Sequence, residues 1–282
     1  MSEQKVKLKN SYFAAIFAFL IPGAGHLYQG RYFKAIINFV CIMGIFIWGL
    51  TLGEWQVLFV NVDQENALPQ KDIGFYTQVF IGVPGLYAIY QSKRYYSKDN
   101  SRQTTLTAPL STAFEGEMIN EPVEGTKIEG IIKGNIDLKP VTGDLNSQTL
   151  EGTFNGTLNE NEPIQLVLGR NIELERPIGG TLSRGLKCDI VAEENGQLIS
   201  SGEIAGTFPR TFLNHFGSPI TENQLQGLNG KLGKRYDLAK VFTWIAGLLN
   251  LLAIWDAFDG PAYGTGKEEK PEEADDKAKA AA

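Results

Sequence analysis

The sequence predicts a membrane α-helical bundle of three to four hydrophobic helices with an all-β soluble domain, a barrel, sandwich or roll, inserted into it. Three observations lead to this fold class. Long uncharged apolar runs lie near both ends of the 282-residue chain, the middle is polar and rich in glycine, and the last residues are low in complexity. The mean hydropathy of −0.13 is ordinary only because it averages these unlike parts. A single uniform globular domain is therefore excluded.

The apolar runs have the length of membrane spans, which need about 20 largely apolar residues. Residues 35–52 and 73–91 carry no charge, and a further run covers 241–255. The first run, 12–21, ends at Pro22 and reaches spanning length only if its helix continues to Tyr28. The alternative is the helical core of a soluble protein. Three separate uncharged stretches of this length favour the membrane, with the first run either spanning or re-entrant.

Basic residues next to the spans predict the orientation, because cytoplasmic loops are enriched in lysine and arginine. Both flanks of the central region are basic, whereas residues 53–73 and the tail are acidic. We therefore predict a multi-pass membrane protein, with residues 92–240 in the cytoplasm and residues 53–73 and the tail outside. A four-span arrangement with a cytoplasmic N-terminus would instead export the central region.

The central region has the period-2 alternation of β-strands, as in residues 150–158 and 202–208. Glycines at the intervening positions indicate bulges, tight bends or a close approach of two backbones. We predict six to nine short strands, with a parallel β-solenoid as the rival, although its repeat would lack a fixed period. The predicted division of the chain is membrane helices at 1–96, a linker at 97–112, the β domain at 113–232, a membrane helix at 233–260 and a disordered acidic tail at 261–282.

Composition limits the chemistry that this chain can perform. The net charge of −6 argues against a general nucleic-acid binder. Two cysteines, Cys41 and Cys188, are too few for a disulfide scaffold or a four-cysteine zinc site. The only histidines are His26 and His215. The sequence therefore predicts no catalytic, metal or cofactor-binding residues and no cofactor.

Candidate intramembrane polar positions nevertheless stand out in two places. The segment 22–31 places proline and glycines beside polar side chains, which predicts a structured hairpin between two membrane helices; the alternative is a functional polar site. In the last run, Asn250 is a candidate hydrogen-bond donor between helices. Asp256 is either a functional acid or a solvated interfacial carboxylate. The full set is Pro22, Gly23, Gly25, His26, Tyr28, Gly30, Arg31, Asn250 and Asp256.

Residues 18–36 resemble the first half of the two-transmembrane domain family, in which a turn containing glycine, histidine and tyrosine joins two helices. The match is partial, because the usual His-Arg-Phe-Tyr core is reduced to His26-Leu27-Tyr28. With residues 207–212, 235–239 and 246–256 included, the chain more closely resembles an uncharacterised bacterial membrane-protein family, domain of unknown function family 6677. This resemblance implies a multi-span inner-membrane protein and no known activity.

Three classes of function remain. The first is a non-enzymatic anchor or scaffold for a cytoplasmic β domain. The second is a subunit of a small transporter or channel, and the third is a membrane-bound enzyme acting on lipid or envelope substrates through His26, Arg31 or Asp256. The expected partners are the lipid bilayer and either a second copy or another membrane protein, and no nucleic acid. We also predict that the last helix packs on the others through Gly44, Gly82, Gly85 and Gly247.

Overall fold

The structure is a computed structural model that describes residues 9–60, 73–101, 106, 108–120, 128–142, 148–194 and 197–260. The helices are α1 (Ser11–Leu20), α2 (Ala24–Tyr28), α3 (Tyr32–Leu52), α4 (Ile73–Val79), α5 (Val83–Tyr95), α6 (Lys98–Ser101), α7 (Phe212–His215), α8 (Glu222–Leu232) and α9 (Lys234–Asp259). The strands are β1 (Leu110–Asn120), β2 (Ile128–Thr142), β3 (Gln148–Leu158), β4 (Glu162–Leu174), β5 (Ser183–Glu194) and β6 (Gln197–Pro209). The predicted tail at 261–282 lies outside the described residues.

Among the described residues, two helices are long and apolar enough to cross a membrane, α3 and α9. At a rise of about 1.5 Å per residue they are about 30–40 Å long, which matches a bilayer core of about 30 Å. They pack side by side in opposite directions: Gly49 near the end of α3 lies against Thr243 near the start of α9. We call the end where α3 stops and α9 starts the barrel end, and the other the far end.

The predicted bundle of three to four spanning helices is not what the described residues form, because the first and third apolar runs are broken. Pro22 and Gly23 end the first run, and Gly23 has a positive φ of 82°. Gly82, with φ of 88°, breaks the third run in the same way before Pro84. A left-handed backbone conformation suits glycine and stops a helix. Each run therefore becomes two short helices that fold back on each other.

The first hairpin, α1 and α2, enters the bundle from the far end. Tyr12 at its start packs edge-to-face on Phe258, with ring centroids 5.5 Å apart, and Ala18 lies beside Asn250. The helix α2 then returns, so that His26 again reaches Asp256. The first run therefore folds back at Pro22-Gly23 and does not continue as one helix to Tyr28.

The second hairpin, α4 and α5, enters from the barrel end. Gly74 lies against Trp244, and the carbonyl of Phe80 reaches Asn250 two turns deeper. After Gly82, α5 returns to the barrel end, where Tyr87 stacks on Phe216. The two hairpins meet tip to tip, because a Cβ atom on Gly82 would overlap the carbonyl oxygens of Phe19 and Leu20.

The strands β1 to β6 form a closed antiparallel barrel in sequence order, with β1 paired to β6. Its interior is filled by apolar side chains, including Phe114, Ile136, Phe154 and Ile204, all at most 2 % exposed. The closed, antiparallel topology is that of a barrel and rules out the rival parallel solenoid. The β-structure ends at Pro209, and the following residues to 232 are helical or irregular.

Glycines on the inner face of the barrel allow the close backbone approach that the sequence predicted. Gly116 is paired with Gly206 across β1 and β6, and Gly134 is paired with Gly156 across β2 and β3. A Cβ atom on any of the four would overlap the neighbouring backbone. The rings of Phe114 and Phe154 occupy the space that these glycines leave.

The described part of the loop after α3, residues 53–60, lies at the barrel end, so the expectation that it lies opposite the β domain is wrong. Glu54 forms an ion pair with Lys231 at 2.7 Å, and the hydroxyl of Tyr236 donates to the carbonyl of Gln56. The reason is that the third run enters and leaves at one end and does not cross. Residues 61–72 lie outside the described residues.

Candidate functional site

The polar residues of the 22–31 segment converge on one carboxylate at the far end of α9. Asp256 Oδ2 lies 2.6 Å from Nε2 of His26, 3.0 Å from a guanidinium nitrogen of Arg31 and 3.2 Å from Nζ of Lys34. The short helix α2 and the start of α3 hold these three groups on one side of α9. One acid and two obligate cations therefore form a compact ion cluster.

Both ring nitrogens of His26 are engaged. Nε2 faces Asp256, and Nδ1 lies 3.4 Å from the side-chain amide of Asn38. His26 is fully buried, whereas the side chain of Lys34 is 50 % exposed. The cluster therefore opens to its surroundings through Lys34, and the imidazole itself is enclosed.

Two further hydrogen bonds tie this segment to the end of α9. The amide of Gln29 donates to the carbonyl of Ala257 at 2.6 Å, and Arg31 donates to the carbonyl of Asp256 at 3.3 Å. Carbonyls in the last turn of a helix lack partners within the helix and need outside donors. Gln29 and Arg31 supply those donors.

The glycines of the segment bring three helices together. A Cβ atom on Gly23 would overlap the carbonyl of Ala35, and one on Gly25 would overlap that of Ala14. Gly30 is different, since it has a φ of 80° and open space around it, so it serves the turn into α3. Pro22 lies in the turn between α1 and α2, and the ring of Tyr28 packs on that of Phe17.

Asn250 holds the tips of both hairpins. Its amide nitrogen donates to the carbonyl of Ala18 at 3.1 Å and to that of Phe80 at 2.6 Å. Both carbonyls belong to helix ends that have no further turn to supply a donor. The Asn250 side chain is fully buried, and its Oδ1 has no hydrogen-bond partner.

The sequence identified most of the residues in these two centres but did not predict which of them contact each other. His26, Arg31 and Asp256 come together, while Asn250 forms a separate centre deeper in the bundle. Lys34 and Gln29 were missed as members of the cluster, although their spacing after Arg31 and His26 was visible. Of the four glycines through which the last helix was predicted to pack, Gly247 alone lies on α9, against the carbonyl of Thr77. Gly82 lies against the end of α1 and Gly85 against the end of α4, whereas Gly44 faces open space, so these three do not contact α9 as predicted.

The contacts within this site are electrostatic. Across the described ranges, no group of three or more histidine, cysteine, aspartate or glutamate side chains is placed to hold a metal ion. A lone carboxylate among cations is suited to fixing helix positions and to holding charge inside a low-dielectric bundle. The cluster thus joins the N-terminal hairpin, α3 and α9 at one point.

Comparison with known proteins gives a family and no activity. No curated protein and no solved structure matches this chain. The model of a family of unknown function, DUF6677, matches residues 13–270. That match includes the barrel, α9 and both hairpins except for the first two residues of α1. The chain therefore belongs to the DUF6677 family of unknown function.

Proposed function

We propose that this chain is an integral membrane protein that holds its β barrel rigidly at the membrane surface as a non-enzymatic scaffold. The membrane placement is supported by the apolar side chains that α3 and α9 expose. Phe33 is 78 % exposed and Trp255 is 68 % exposed. Only about a third of each candidate span is buried, 28 % for α3 and 33 % for α9. A core helix of a soluble protein would bury such residues.

In the proposed placement, α3 and α9 cross the bilayer and the two hairpins enter it from opposite sides. Backbone that leaves a helix at membrane depth needs protein partners for its polar groups. The hydrogen bonds of Asn250 to Ala18 and Phe80 meet that need. We assign the barrel to the cytoplasmic side of the inner membrane, because Lys93, Arg94, Lys234 and Arg235 flank it.

The observation that carries the scaffold proposal is the junction between the barrel and the helices. The side-chain amide of Gln91 on α5 donates to the carbonyls of Leu213 and Phe216 and to the hydroxyl of Ser218. Asn100 on α6 accepts from the amide of Ile178 and donates to its carbonyl. Both side chains are almost fully buried. A junction built this way fixes orientation, which a flexible tether would not.

A non-enzymatic role fits the enclosure of His26. Its ring nitrogens face Asp256 and Asn38, so neither is presented to a substrate. The proposed partners of the scaffold are the bilayer along the exposed faces of α3 and α9 and a second copy or another membrane protein.

A transporter or channel subunit is the second candidate, favoured by one observation: two half-length hairpins meet in the middle of the bundle. The tight contacts of Gly82 with Phe19 and of Gly247 with Thr77 leave the single chain closed there. Solute efflux from proteoliposomes above that of protein-free vesicles, lost when Gly247 is replaced by leucine, would favour this candidate over the scaffold.

The scaffold proposal is tested by measuring how rigidly the barrel is held. Spin labels on cysteines at Tyr32, in α3, and Lys187, on the barrel, report their separation in full-length protein from which Cys41 and Cys188 have been removed. We expect a narrow distance distribution in lipid nanodiscs, which broadens when Gln91 and Asn100 are both changed to alanine. The control is Asn229→Ala on exposed α8, which should leave the distribution unchanged. A broad distribution in the unaltered junction would contradict the proposal.

A further inference from the structure

Two arginines are buried where the barrel meets the helices, without enough acid to neutralise them. Arg184 on β5 is 6 % exposed and Arg210, directly after β6, is 8 % exposed. Buried arginines are normally paired with carboxylates. Here Glu175 is the carboxylate near both, and its side chain is 51 % exposed.

The hydrogen bonds of these guanidinium groups are incomplete. Arg184 donates through Nε to the backbone carbonyl of Glu175 at 2.7 Å, and its Nη2 is buried without a partner. Arg210 donates to the carbonyl and hydroxyl of Thr181 and to the carbonyl of Arg176, while its Nε is buried without a partner. An unsatisfied buried donor on a charged group is costly. Each guanidinium therefore still has a nitrogen free to donate.

The carboxylate of Glu175 is a weak counter-ion. Its Oε2 lies 3.5 Å from Arg210, at the limit of a hydrogen bond, and it also accepts from the backbone amide of Gly185 at 3.0 Å. Burial, and then the nearby charge of Arg210, lowers the pKa of Arg184 to about 10. The positive charge at this place is thus only partly compensated in the protein itself.

The position of the pair favours an anion that comes from the membrane side. Next in the chain to Glu175, Arg176 lies over the ring of Tyr95, at 5.3 Å, where α5 ends. Lys93 and Arg94 precede Tyr95 in the last turn of α5. If the membrane placement proposed above is correct, this turn lies at the level of the lipid headgroups.

We propose that Arg184 and Arg210 form a binding site for a phosphate-bearing anion, either the headgroup of an anionic phospholipid or free phosphate. The phosphate oxygens displace the Glu175 carboxylate and accept from Nη2 of Arg184 and Nε of Arg210. Guanidinium groups suit this role because their planar donors match the geometry of phosphate. The binding chemistry stands independently of the scaffold role; only the lipid source rests on the proposed membrane placement.

The test uses the full chain in nanodiscs of neutral phosphatidylcholine, titrated with inorganic phosphate against chloride at equal ionic strength. A ligand that binds the folded state raises the unfolding midpoint with its concentration. If free phosphate is the ligand, we expect phosphate to raise the unfolding midpoint more than chloride does. If a lipid headgroup is the ligand, we expect nanodiscs that contain phosphatidylglycerol to raise the midpoint without added phosphate. The first result identifies free phosphate as the ligand source and the second identifies lipid.

Variants separate the site from general charge effects. Arg184→Gln and Arg210→Gln should abolish the rise, whereas Lys187→Gln, an equal charge change on the exposed face of β5, should keep it. Glu175→Gln removes the competing carboxylate and should tighten binding about three- to fivefold, by the size of one exposed ion pair. That variant keeps the test decisive if the arginine variants do not fold.

Three outcomes overturn the proposal. The first is that neither phosphate nor phosphatidylglycerol raises the unfolding midpoint specifically. The second is that Lys187→Gln reduces the rise as much as the arginine variants do, and the third is that Glu175→Gln binds phosphate more weakly. Failure of the membrane placement alone would leave the response to inorganic phosphate intact, so the two proposals can fail separately.

Discussion

The side chain of Asn250 donates one hydrogen bond to each of the two hairpins. We predict that Asn250→Leu lowers the free energy of unfolding in detergent by about 1–3 kcal/mol, because the carbonyls of Ala18 and Phe80 lose their donor. Thermal or denaturant unfolding measures the change. Asn229→Leu, the same substitution on the exposed face of α8, serves as the control, and equal losses in both variants would remove Asn250 from its proposed role.

Asp256 has a similar place at the far end, where it compensates Arg31 and Lys34. Asp256→Asn keeps the shape but leaves the largely buried Arg31 without its carboxylate, so we expect a loss of about 1–3 kcal/mol in unfolding free energy. The value stays below that of a fully buried pair because Lys34 is half exposed. Asp259→Asn, on exposed Asp259 at the end of α9, should have little effect. A null result for Asp256→Asn would identify the cluster as a solvated ion pair.

At this scale the sequence indicated which residues matter but not how they meet. His26 and Asp256 are 230 positions apart, and only the fold brings them to 2.6 Å. The sequence does not mark Arg184 or Arg210 as buried, because arginines at strand ends are usually exposed. Arg184 lies against Glu175, and Arg210 lies against Arg176 and Thr181. Local sequence patterns do not encode these contacts between separate segments.

At the scale of elements, hydropathy predicted the apolar runs and left their course open. A run of 19 uncharged residues is compatible with one span or with two short helices. Pro22-Gly23 determines the course of the first run, and Gly82 that of the third. From the sequence alone, the break at Gly82 is also compatible with a kink within one continuous helix. For the central region, the sequence predicted β-structure but did not distinguish a barrel from a sandwich or roll. The alternation of apolar residues marks an inner and an outer face of each strand but does not identify its partner strand.

The inward glycines of the barrel give a test at this scale. Gly156→Ala should lower the free energy of unfolding by about 2 kcal/mol or more, because the new Cβ overlaps the backbone of β2 and cannot be accommodated without moving a strand. Gly227→Ala on α8, where the space is open, should raise it by about 0.5–1 kcal/mol, since alanine favours the helix. Unfolding followed by circular dichroism measures both. If both variants changed the free energy of unfolding in the same direction, the glycine pairs would not be what allows the strand backbones to approach so closely.

At the scale of the whole molecule, the two hairpins change the expected topology. With α3 and α9 as the crossing helices, both described ends of the chain lie at the far end, and the barrel, residues 53–60 and the start of α9 share the other. The insert between α5 and α9 is then a closed excursion. Its two ends are held together by Gln91 and the carbonyls of Leu213 and Phe216.

This arrangement is tested with single cysteines in a chain that lacks Cys41 and Cys188. Glu54→Cys and Asn161→Cys should behave alike in intact cells, and Lys9→Cys should behave oppositely, because Glu54 contacts Lys231 at the barrel end while Lys9 lies over Tyr28 at the far end. With the barrel in the cytoplasm, an impermeant maleimide should label only the Lys9 position before lysis, and all three positions after it. Labelling of the positions at 54 and 161 from opposite sides would require the third run to cross the membrane, and the re-entrant hairpin would then be wrong. Labelling of both from outside would keep the hairpins and reverse the orientation, because the two positions would still lie on one side of the membrane.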